Sequence, residues 1–426
     1  MAVCHEESFG ITPAAYTAVQ RAQDDLRGVF ERIDALEQVN QIKVLHAFQL
    51  ERISARHFAP TTGYGYDDIG RDALDRVFAH ALGCEDALVR PQIASGTHAL
   101  FLAIAGLLLP GDTMLCITGK PYDTLEQAIG ISGDAFGSLK QWGIDYRQVD
   151  LLDSGALDYK KIAAALEDKP KLVYMQRSRG YEWREALSIQ AFGEAVSFIR
   201  QRHPQAILLV DNCYGEFTDA EEPSAVGADV LAGSLIKNPG GGLAPSGGYI
   251  AGKRTLIERI AGRLTVPGIG REVGSYAASY APFFQGLFLS PHVTAQSLKS
   301  AALFARVFEN AGMKTMPDSS ALRSDIIQAV RFESAAQLIR FCRSIQRAAA
   351  IDGFLVPEPW DMPGYSNQVI MAAGAFVQGS SIELSADGPI AAPYTAYIQG
   401  ALTYFHGKIG AMIALSDLEK AGVIQL

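Results

Sequence analysis

The stretch SLIKNPGGG, residues 234–242, places Lys237 directly after a short strand-like run and before three consecutive glycines. That run, ADVLAG, covers residues 228–233. Upstream of it, the apolar run AILLV at residues 206–210 leads into Asp211. Short apolar runs that are bounded by turn residues are typical of buried strands. The sequence therefore predicts two strands, of which the first ends at a carboxylate and the second leads to a lysine.

The combination of Asp211 and Lys237 suits the chemistry of pyridoxal phosphate. A lysine amine forms a Schiff base with the aldehyde of this cofactor, and a nearby carboxylate keeps the pyridine nitrogen protonated so that the ring can accept electrons. The alternative interpretation is a surface lysine beside a glycine turn. A third segment of the chain favours the cofactor over that alternative.

This third segment, SGT at residues 95–97, precedes an apolar run at residues 100–109. The pattern predicts the start of a helix, where free backbone N–H groups and the helix dipole attract an anion such as a phosphate. An ordinary Ser or Thr N-cap would explain the segment taken alone. The order of phosphate cup, carboxylate and lysine is far more specific than any one of the three. The candidate phosphate-binding residues are Ser95, Gly96 and Thr97.

Four longer strings contain these residues: IASGTHAL (93–100), KPYDTLE (120–126), VDNCYGEF (210–217) and SLIKNPGGGLAPSGGYIAGK (234–253). They resemble the fold-type I pyridoxal-phosphate enzymes of cysteine and methionine metabolism. More closely, they resemble the methionine gamma-lyase-like branch, which is often called the aluminium-resistance family. The likeness extends from about Tyr64 to the C-terminus. It implies the pyridoxal-phosphate-dependent transferase fold of type I.

The pattern of the chain also predicts an α/β fold. From residue 71 to residue 292, short apolar runs alternate with amphipathic stretches, which is typical of a mostly parallel sheet covered by helices. With 426 residues, 48% of them hydrophobic, the chain is long enough to form two domains. The predicted organisation is an N-terminal helical segment at 1–60, a large cofactor-binding α/β domain at 61–294 and a smaller α+β domain at 295–426.

The resemblance implies further roles for side chains. Tyr122 corresponds to the aromatic residue that stacks on the cofactor ring, for which a turn tyrosine that packs locally is the alternative, and Ser234 corresponds to a phosphate-binding serine. Asn212 and Tyr214 are expected to touch the substrate or the 3-oxygen of the cofactor. Tyr64 lies in a loop that, in related enzymes, reaches the phosphate site of a neighbouring subunit. The protein is therefore expected to be a homodimer or a homotetramer.

The arginine that binds the substrate carboxylate in related lyases has no counterpart at the same place in this sequence. Related lyases hold this carboxylate with an arginine in a segment that corresponds to residues 381–385, which read SIELS here, and Ala391 stands where the closer family often carries arginine. Arg177 and Arg179 are the candidates instead, because a guanidinium group binds a carboxylate in a bidentate manner. Arg184 is a further candidate. A structural ion pair is the alternative for each of the three.

Composition and charge restrict the class of protein. The net charge of -9 argues against nucleic acid and against an anionic membrane as partners. The first residues contain neither a basic nor an apolar segment, so we expect no signal peptide and a cytoplasmic location. Five cysteines without a CxxC pair indicate reduced thiols. The eight histidines show no metal-binding spacing, so no metal site is expected.

The resemblance implies a carbon–sulfur lyase of the methionine gamma-lyase or cystathionine beta-lyase type. Lys237, displaced by the substrate amine, would act as the general base at Cα, with Asp211 and Tyr122 completing the catalytic set. The products would be a 2-oxo acid, ammonia and a thiol. Side-chain replacement or transamination would use the same carbanion. A weakly catalytic, stress-linked protein that holds the cofactor is a further alternative, and the sequence does not separate methionine-like from cystathionine-like substrates.

Overall fold

The computed structural model describes residues 9–362 and 367–426, which form two compact units. Cys4 and the N-terminal stretch that bears on a signal peptide lie outside the described residues. The sequence predicts domain limits at residues 60 and 294, and the pattern of contacts changes at residues 38 and 290. The described part of the smaller unit comprises residues 9–38, 181–185 and 291–426, and the larger unit comprises residues 39–180 and 186–290.

A seven-stranded sheet forms the centre of the larger unit. Its strands are β1 (Asp86–Arg90), β2 (Thr113–Cys116), β3 (Asp145–Gln148), β4 (Leu172–Gln176), β5 (Ile207–Asp211), β6 (Val230–Ser234) and β7 (Gly248–Gly252). They are ordered β1-β7-β6-β5-β4-β2-β3. The strands from β6 to β3 in this order are parallel, whereas β7 is antiparallel to both β6 and β1. The predicted α/β fold with a mostly parallel sheet is confirmed.

Both faces of this sheet are buried under helices. Along β5, Leu208 and Val210 belong to one hydrophobic core, while Ile207 and Leu209 belong to another. Because successive side chains of a strand point to opposite faces, a strand that is covered on both sides reads as one uninterrupted apolar run. The helices are α3 (Ile69–Ala81), α4 (Gly96–Leu107), α5 (Asp123–Ile129), α6 (Tyr159–Leu166), α7 (Ile189–Arg202) and α8 (Arg254–Leu264).

Two long helices, α2 (Arg27–Leu50) and α9 (Ala281–Asn310), contain the points at which the contacts change from one unit to the other. Each helix continues through its change point, and in α9 that point coincides with Pro291, which lies inside the helix. The sequence predicts an N-terminal helical segment at 1–60. In the described part of that segment the structure has α1 (Pro13–Asp25), α2 and a 3-10 turn at Ala55–Phe58.

The smaller unit is an α+β domain, as predicted. Its strands and helices are β8 (Thr315–Met316), β9 (Gln328–Arg331), β10 (Val369–Ala372), β11 (Ser385–Pro389), β12 (Thr395–Gln399), α10 (Ala335–Ala348) and α11 (Tyr404–Lys420). The sheet is antiparallel, in the order β10-β11-β12-β9-β8. One face carries apolar residues such as Ala386 and Ile398, which share a core with Phe341 of α10 and Leu415 of α11.

Some features of other protein classes do not occur in the described parts of the chain. Over residues 9–362 and 367–426, no helix is both long and apolar enough to cross a membrane. Over the same residues, His, Cys, Asp and Glu side chains form no group of three or more that could hold a metal ion. The four described cysteines form no disulfide with one another.

Candidate active site

The carboxyl ends of β4, β5 and β6 lie side by side at one edge of the larger sheet, because these neighbouring strands run parallel. Asp211 is the last residue of β5 and Ser234 is the last residue of β6. Lys237 follows β6 after two further residues. Ligands of open α/β sheets bind at this edge. The fold therefore brings the predicted acid, the predicted lysine and the predicted phosphate-binding serine to one place.

Asp211 is a buried carboxylate that accepts hydrogen bonds on both oxygens. Its Oδ2 accepts a hydrogen bond from the hydroxyl of Tyr174 at 3.2 Å, and its Oδ1 accepts one from the backbone N–H of Cys213 at 3.0 Å. The residue is 3% exposed. Burial raises the pKa of Asp211, although the charge of Lys237 and the donors of Cys213 and Tyr174 act in the opposite direction. A carboxylate in such surroundings is stabilised by a cationic partner.

Lys237 lies over an aromatic ring. Its Nζ is 3.9 Å from the centroid of the Tyr214 ring, which is the geometry of a cation–π contact. Burial lowers the pKa of Lys237, but the acidic groups around it, led by Cys213, Tyr214 and Asp211, raise that pKa above its ordinary value. A raised pKa favours the ammonium form of this amine, and an ammonium has to lose a proton before it can attack a carbon.

Tyr214 adopts an uncommon backbone conformation, with φ at 71°. Residues with a Cβ seldom occupy this left-handed region. The conformation is supported by Asn238, whose Nδ2 donates hydrogen bonds to the carbonyl groups of Tyr214 and Glu216, both at 3.0 Å. Asn238 follows Lys237 in the chain, so this amide links the turn that carries the lysine to the turn that carries the aromatic ring.

The first turn of α4 packs closely against the end of β6. Ser95 is the N-cap of α4, and its Oγ accepts a hydrogen bond from the backbone N–H of His98 at 3.1 Å. A Cβ on Gly96 would lie 3.2 Å from Ser234 Cβ and 3.3 Å from Cys213 Sγ. The glycine thus permits close packing, and the structure brings Gly96, in the first turn of α4, next to Ser234. Thr97 Oγ1 lies 2.6 Å from Thr124 Oγ1.

Arg177 is completely buried and bound by protein groups. Its Nη1 donates a hydrogen bond to Asn212 Oδ1 at 2.9 Å and lies 3.2 Å from Glu222 Oε2, while Nη2 donates to Thr218 Oγ1 at 3.2 Å. Asn212 Nδ2 also donates to Glu222 Oε2, at 2.9 Å. In this structure Arg177 and Asn212 stabilise the turn after β5. For Arg177 this is the structural ion pair that is the alternative to a ligand-binding role, and the ligand-binding roles of Arg177 and Asn212 stay predictions.

The other two candidate arginines have different surroundings. Arg179 is 1% exposed and follows the same strand, β4, by three residues. Arg184 belongs to the smaller unit, where its Nε lies 2.5 Å from Glu182 Oε2 and its Nη1 donates to the carbonyl of Glu185 at 3.0 Å. Arg179 follows the strand whose carboxyl end lies beside Asp211, and it stays the candidate for the substrate carboxylate.

The two predicted tyrosines lie in different environments. Tyr122 immediately precedes α5, beyond the carboxyl end of β2, so it lies at the same sheet edge as Asp211. It is half-buried, and its Cδ2 is 3.8 Å from the position that a Cβ on Gly180 would take. Tyr64 is 71% exposed in the single chain, and its ring packs against that of Tyr66 at 5.5 Å.

Comparison with known proteins identifies the family. Residues 15–419 match the family model described as methionine gamma-lyase. The chain belongs to the methionine gamma-lyase family. Among the relatives of this family member, YnbB of Bacillus subtilis (strain 168) is 49% identical over 401 residues, which are 94% of this chain and 95% of YnbB.

Solved structures agree with membership of the methionine gamma-lyase family. A carbon–sulfur lyase involved in aluminium resistance from Clostridium novyi NT has a TM-score of 0.93 and 50% identity, over 96% of this chain and 97% of that chain. A protein from Clostridium acetobutylicum, proposed to be a cystathionine beta-lyase involved in aluminium resistance, has a TM-score of 0.94 and 47% identity, over 97% and 98%.

A more distant structure bears on the fold alone. The pyridoxal-5'-phosphate-dependent protein YhfS of Escherichia coli has a TM-score of 0.61 and 16% identity, over 90% of this chain and 96% of YhfS. This family member therefore has the fold of type I pyridoxal-phosphate-dependent enzymes, as the sequence predicts.

Sequence reasoning missed several buried polar residues of this family member. Tyr174 stands within the apolar strand LVYMQ, and Tyr249 within GYIAG, so both read as ordinary strand residues. Glu222 lies in a turn whose acidity is visible, but nothing in the turn indicates that it binds Arg177. Glu216 is completely buried, and its Oε1 accepts a hydrogen bond from the Tyr249 hydroxyl at 2.8 Å. For Tyr174 and Tyr249 the signal would have been a polar residue at a position that the strand pattern predicts to be buried, and for the two glutamates the sequence carries no such signal.

Glu216 is expected to make the free energy of unfolding of this protein depend on pH. Burial raises the pKa of Glu216 from 4.5 to about 8, so between these values the folded protein holds a proton that the unfolded chain has released. The free energy of unfolding should therefore fall as pH rises through this window, by on the order of 3–5 kcal/mol from this residue. Replacing Glu216 with Gln, which keeps the shape and stays neutral, should remove that part of the decrease.

Urea unfolding of the cofactor-free protein from pH 5 to pH 8 measures the effect. The matched variant Glu51→Gln changes a partly exposed carboxyl that is paired with Arg76, and it should leave the decrease in place. If the difference between parent and Glu216→Gln is constant across the window, the buried carboxyl does not carry the proton.

Proposed function

We propose that this protein is a pyridoxal-phosphate-dependent carbon–sulfur lyase that acts on a sulfur amino acid and releases a 2-oxo acid, ammonia and a thiol. The observation that carries the proposal is the position of Asp211 and Lys237 at the ends of neighbouring parallel strands, beside the N-terminus of α4. The names of the two solved Clostridium relatives, at 50% and 47% identity, support this choice of reaction.

The residues at this sheet edge fit pyridoxal phosphate. Lys237 would bind its aldehyde carbon, and Asp211 would pair with its ring nitrogen, which supplies the cation that a buried carboxylate requires. When bound, the cofactor supplies an electron sink for the bonds at Cα of an amino acid. Tyr122 is proposed to stack on the ring. The proposed phosphate-binding residues are Ser95, Gly96, Thr97 and Ser234.

Lys237 is proposed to carry the proton that the reaction moves. Once the substrate amine has taken its place, the free amine of Lys237 can accept the Cα proton. The Tyr214 ring, 3.9 Å from Nζ, stabilises the ammonium that results. The sulfur then departs from Cβ or Cγ as a thiolate, which leaves as a thiol after protonation, and hydrolysis gives the 2-oxo acid and ammonia.

Arg179 is the proposed partner of the substrate carboxylate. Replacement of Arg179 by Lys keeps the charge but removes the bidentate donor pair. We expect kcat/KM to fall roughly tenfold to a hundredfold, because a hydrogen bond to a charged group contributes about 1.5–3 kcal/mol. The visible absorbance of the bound cofactor should not change. Steady-state kinetics and absorbance spectra of the same preparation measure both.

The matched control for Arg179→Lys is Arg184→Lys, which changes an arginine that is paired with Glu182 in the smaller unit. This variant should keep kcat/KM within about threefold of the parent, because the acid of this pair, Glu182, is exposed and Lys keeps the charge. Equal kinetics of the parent and of Arg179→Lys would show that other donors bind the carboxylate.

A panel of sulfur amino acids tests the proposed reaction. Purified protein with pyridoxal phosphate is incubated with methionine, cystathionine and cysteine, and 2-oxo acid, ammonia and thiol are assayed. Release of a thiol with equal amounts of 2-oxo acid and ammonia supports the lyase. A requirement for an amino acceptor indicates a transaminase instead. No product from any member of the panel would contradict the proposal.

We also propose that the protein is a homodimer or a dimer of dimers, in which Tyr64 contributes to a neighbour's site. The support is the exposure of this aromatic side chain at the start of a loop that precedes the sheet. Oligomers of identical chains usually have closed symmetry, so one such contact should occur at every subunit. Sedimentation of the holoenzyme measures the assembly. A monomer that turns over at the full rate would contradict the proposal.

A further inference from the structure

Tyr174 lies in β4 and is completely buried. The strand register pairs Tyr174 with Leu209 and Gln176 with Asp211, so Tyr174 and Asp211 lie on the same face of the sheet, in neighbouring strands and two residues apart. Because the phenol ring is long, its hydroxyl reaches along this face and donates a hydrogen bond to Asp211 Oδ2 at 3.2 Å.

The surroundings of the Tyr174 ring are apolar. On this face, Cys116 of β2 and Leu209 of β5 are its direct neighbours across the strands, and all three belong to the same hydrophobic core. A buried hydroxyl without a hydrogen-bond partner costs free energy, and Phe would fill the same space without that cost. Packing alone would therefore be satisfied by Phe, and the hydrogen bond to Asp211 accounts for the presence of a hydroxyl at this position.

We propose that Tyr174 is a positioning residue, which keeps Asp211 ionised and oriented toward the cationic ring nitrogen of the cofactor. This inference rests on the proposed function, because it takes Asp211 as the partner of that nitrogen. The Cys213 N–H on Oδ1 and the Tyr174 hydroxyl on Oδ2 hold the two oxygens of the carboxylate separately. Together they restrict rotation of the carboxylate.

The electrostatics act in the same direction. Burial raises the pKa of Asp211, and each hydrogen bond that it accepts opposes this rise by stabilising the charged form. Burial and the charge of Asp211 raise the pKa of Tyr174 well above its ordinary value, so its hydroxyl stays protonated and remains a donor. Without that donor, Asp211 would take up a proton more easily and hold a cation less strongly.

Replacing Tyr174 with Phe tests the proposal. Titration of cofactor-free protein with pyridoxal phosphate, followed by absorbance and by quenching of protein fluorescence, should give a dissociation constant that is raised roughly tenfold or more. The matched control is Tyr280→Phe, which also removes a buried phenol that donates to a carboxylate, here Asp68 Oδ2 at 2.8 Å. The dissociation constant of Tyr280→Phe for pyridoxal phosphate should stay within about threefold of that of the parent. Thermal unfolding of both cofactor-free variants separates an effect on folding from an effect on the cofactor.

A double-mutant cycle with Asp211→Asn separates this inference from the proposed function. In the Asp211→Asn background, Tyr174→Phe should change the dissociation constant less than about threefold, because the carboxylate on which it acts is gone. If Asp211→Asn weakens cofactor binding and Tyr174→Phe does not, the role of Tyr174 is refuted while the proposed function stands. If Tyr174→Phe raises the dissociation constant by the same factor with and without Asp211→Asn, Tyr174 acts through another group and the inference is also refuted. If Asp211→Asn itself leaves the affinity unchanged, the proposed cofactor site is wrong.

Discussion

Replacing Lys237 with Ala is expected to abolish turnover, with a loss in kcat of at least about 10⁴-fold, and to remove the visible absorbance of the lysine-bound cofactor. The expected loss is large because the proposal gives Lys237 two tasks, the covalent link to the cofactor and the transfer of the Cα proton. No other lysine is placed in the turns after β5 and β6, at residues 212–247 of the described chain. Initial rates and an absorbance spectrum measure both effects.

Reduction of the holoenzyme with borohydride provides the second measurement. The cofactor should then be fixed to Lys237, and peptide mapping should locate it there. Lys253 and Lys120 are the matched controls, since each is about half exposed and pairs with neighbouring acids, Lys253 with Asp229 at 2.7 Å and Lys120 with Glu126 at 2.5 Å. Their replacement by Ala should leave the adduct unchanged, and an adduct on either of them would refute the assignment of Lys237.

Replacing Arg177 with Ala is expected to lower the free energy of unfolding by about 3–5 kcal/mol. The variant leaves the carboxylate of Glu222 buried without its cationic partner, and it also removes the donor to Asn212. Glu222 still accepts hydrogen bonds from Asn212 and from the backbone of Phe217, but these do not neutralise its charge. Urea unfolding of the cofactor-free protein measures the change.

A second substitution tests the cause of this loss. Arg177→Ala combined with Glu222→Gln removes the unpaired charge, so the double variant should be more stable than Arg177→Ala alone. Equal stability of the parent and of Arg177→Ala would mean that the buried pair makes no net contribution. A purely ligand-binding role of Arg177 predicts that result together with weaker substrate binding.

The sequence was sufficient to predict two strands of the larger sheet and the functional residues that follow them. Two apolar runs, one ending in Asp211 and one leading to Lys237, are buried strands. Their successive side chains pack into two different cores, one on each face of the sheet, so nearly every residue of the run is apolar. The SGT segment predicts the start of α4 for a similarly local reason, since Ser95 caps the helix within its own first turn. The family and the fold of type I, both predicted by resemblance, are confirmed.

The partners of buried side chains could not be predicted in this way. Arg177 is bound by Asn212, Thr218 and Glu222, which lie 35 to 45 residues further along the chain. A sequence motif can show that an arginine follows a strand, but it carries no information on which acid the fold will bring to it. The sequence left both a substrate carboxylate and a structural acid open for this guanidinium, and the structure shows a buried protein carboxylate beside it.

What the sequence alone determined about this protein is therefore the kind of element and the residue at its end: strands that terminate in Asp211 and Ser234, a helix that starts at Gly96, and a lysine after the second strand. These follow from burial and capping, which act over a few residues. Only the tertiary structure decided that β4, β5 and β6 are parallel neighbours and that Tyr174 reaches Asp211. Strand order and register arise from contacts between segments far apart in the chain, and the physical interactions that select them exist only in the folded state.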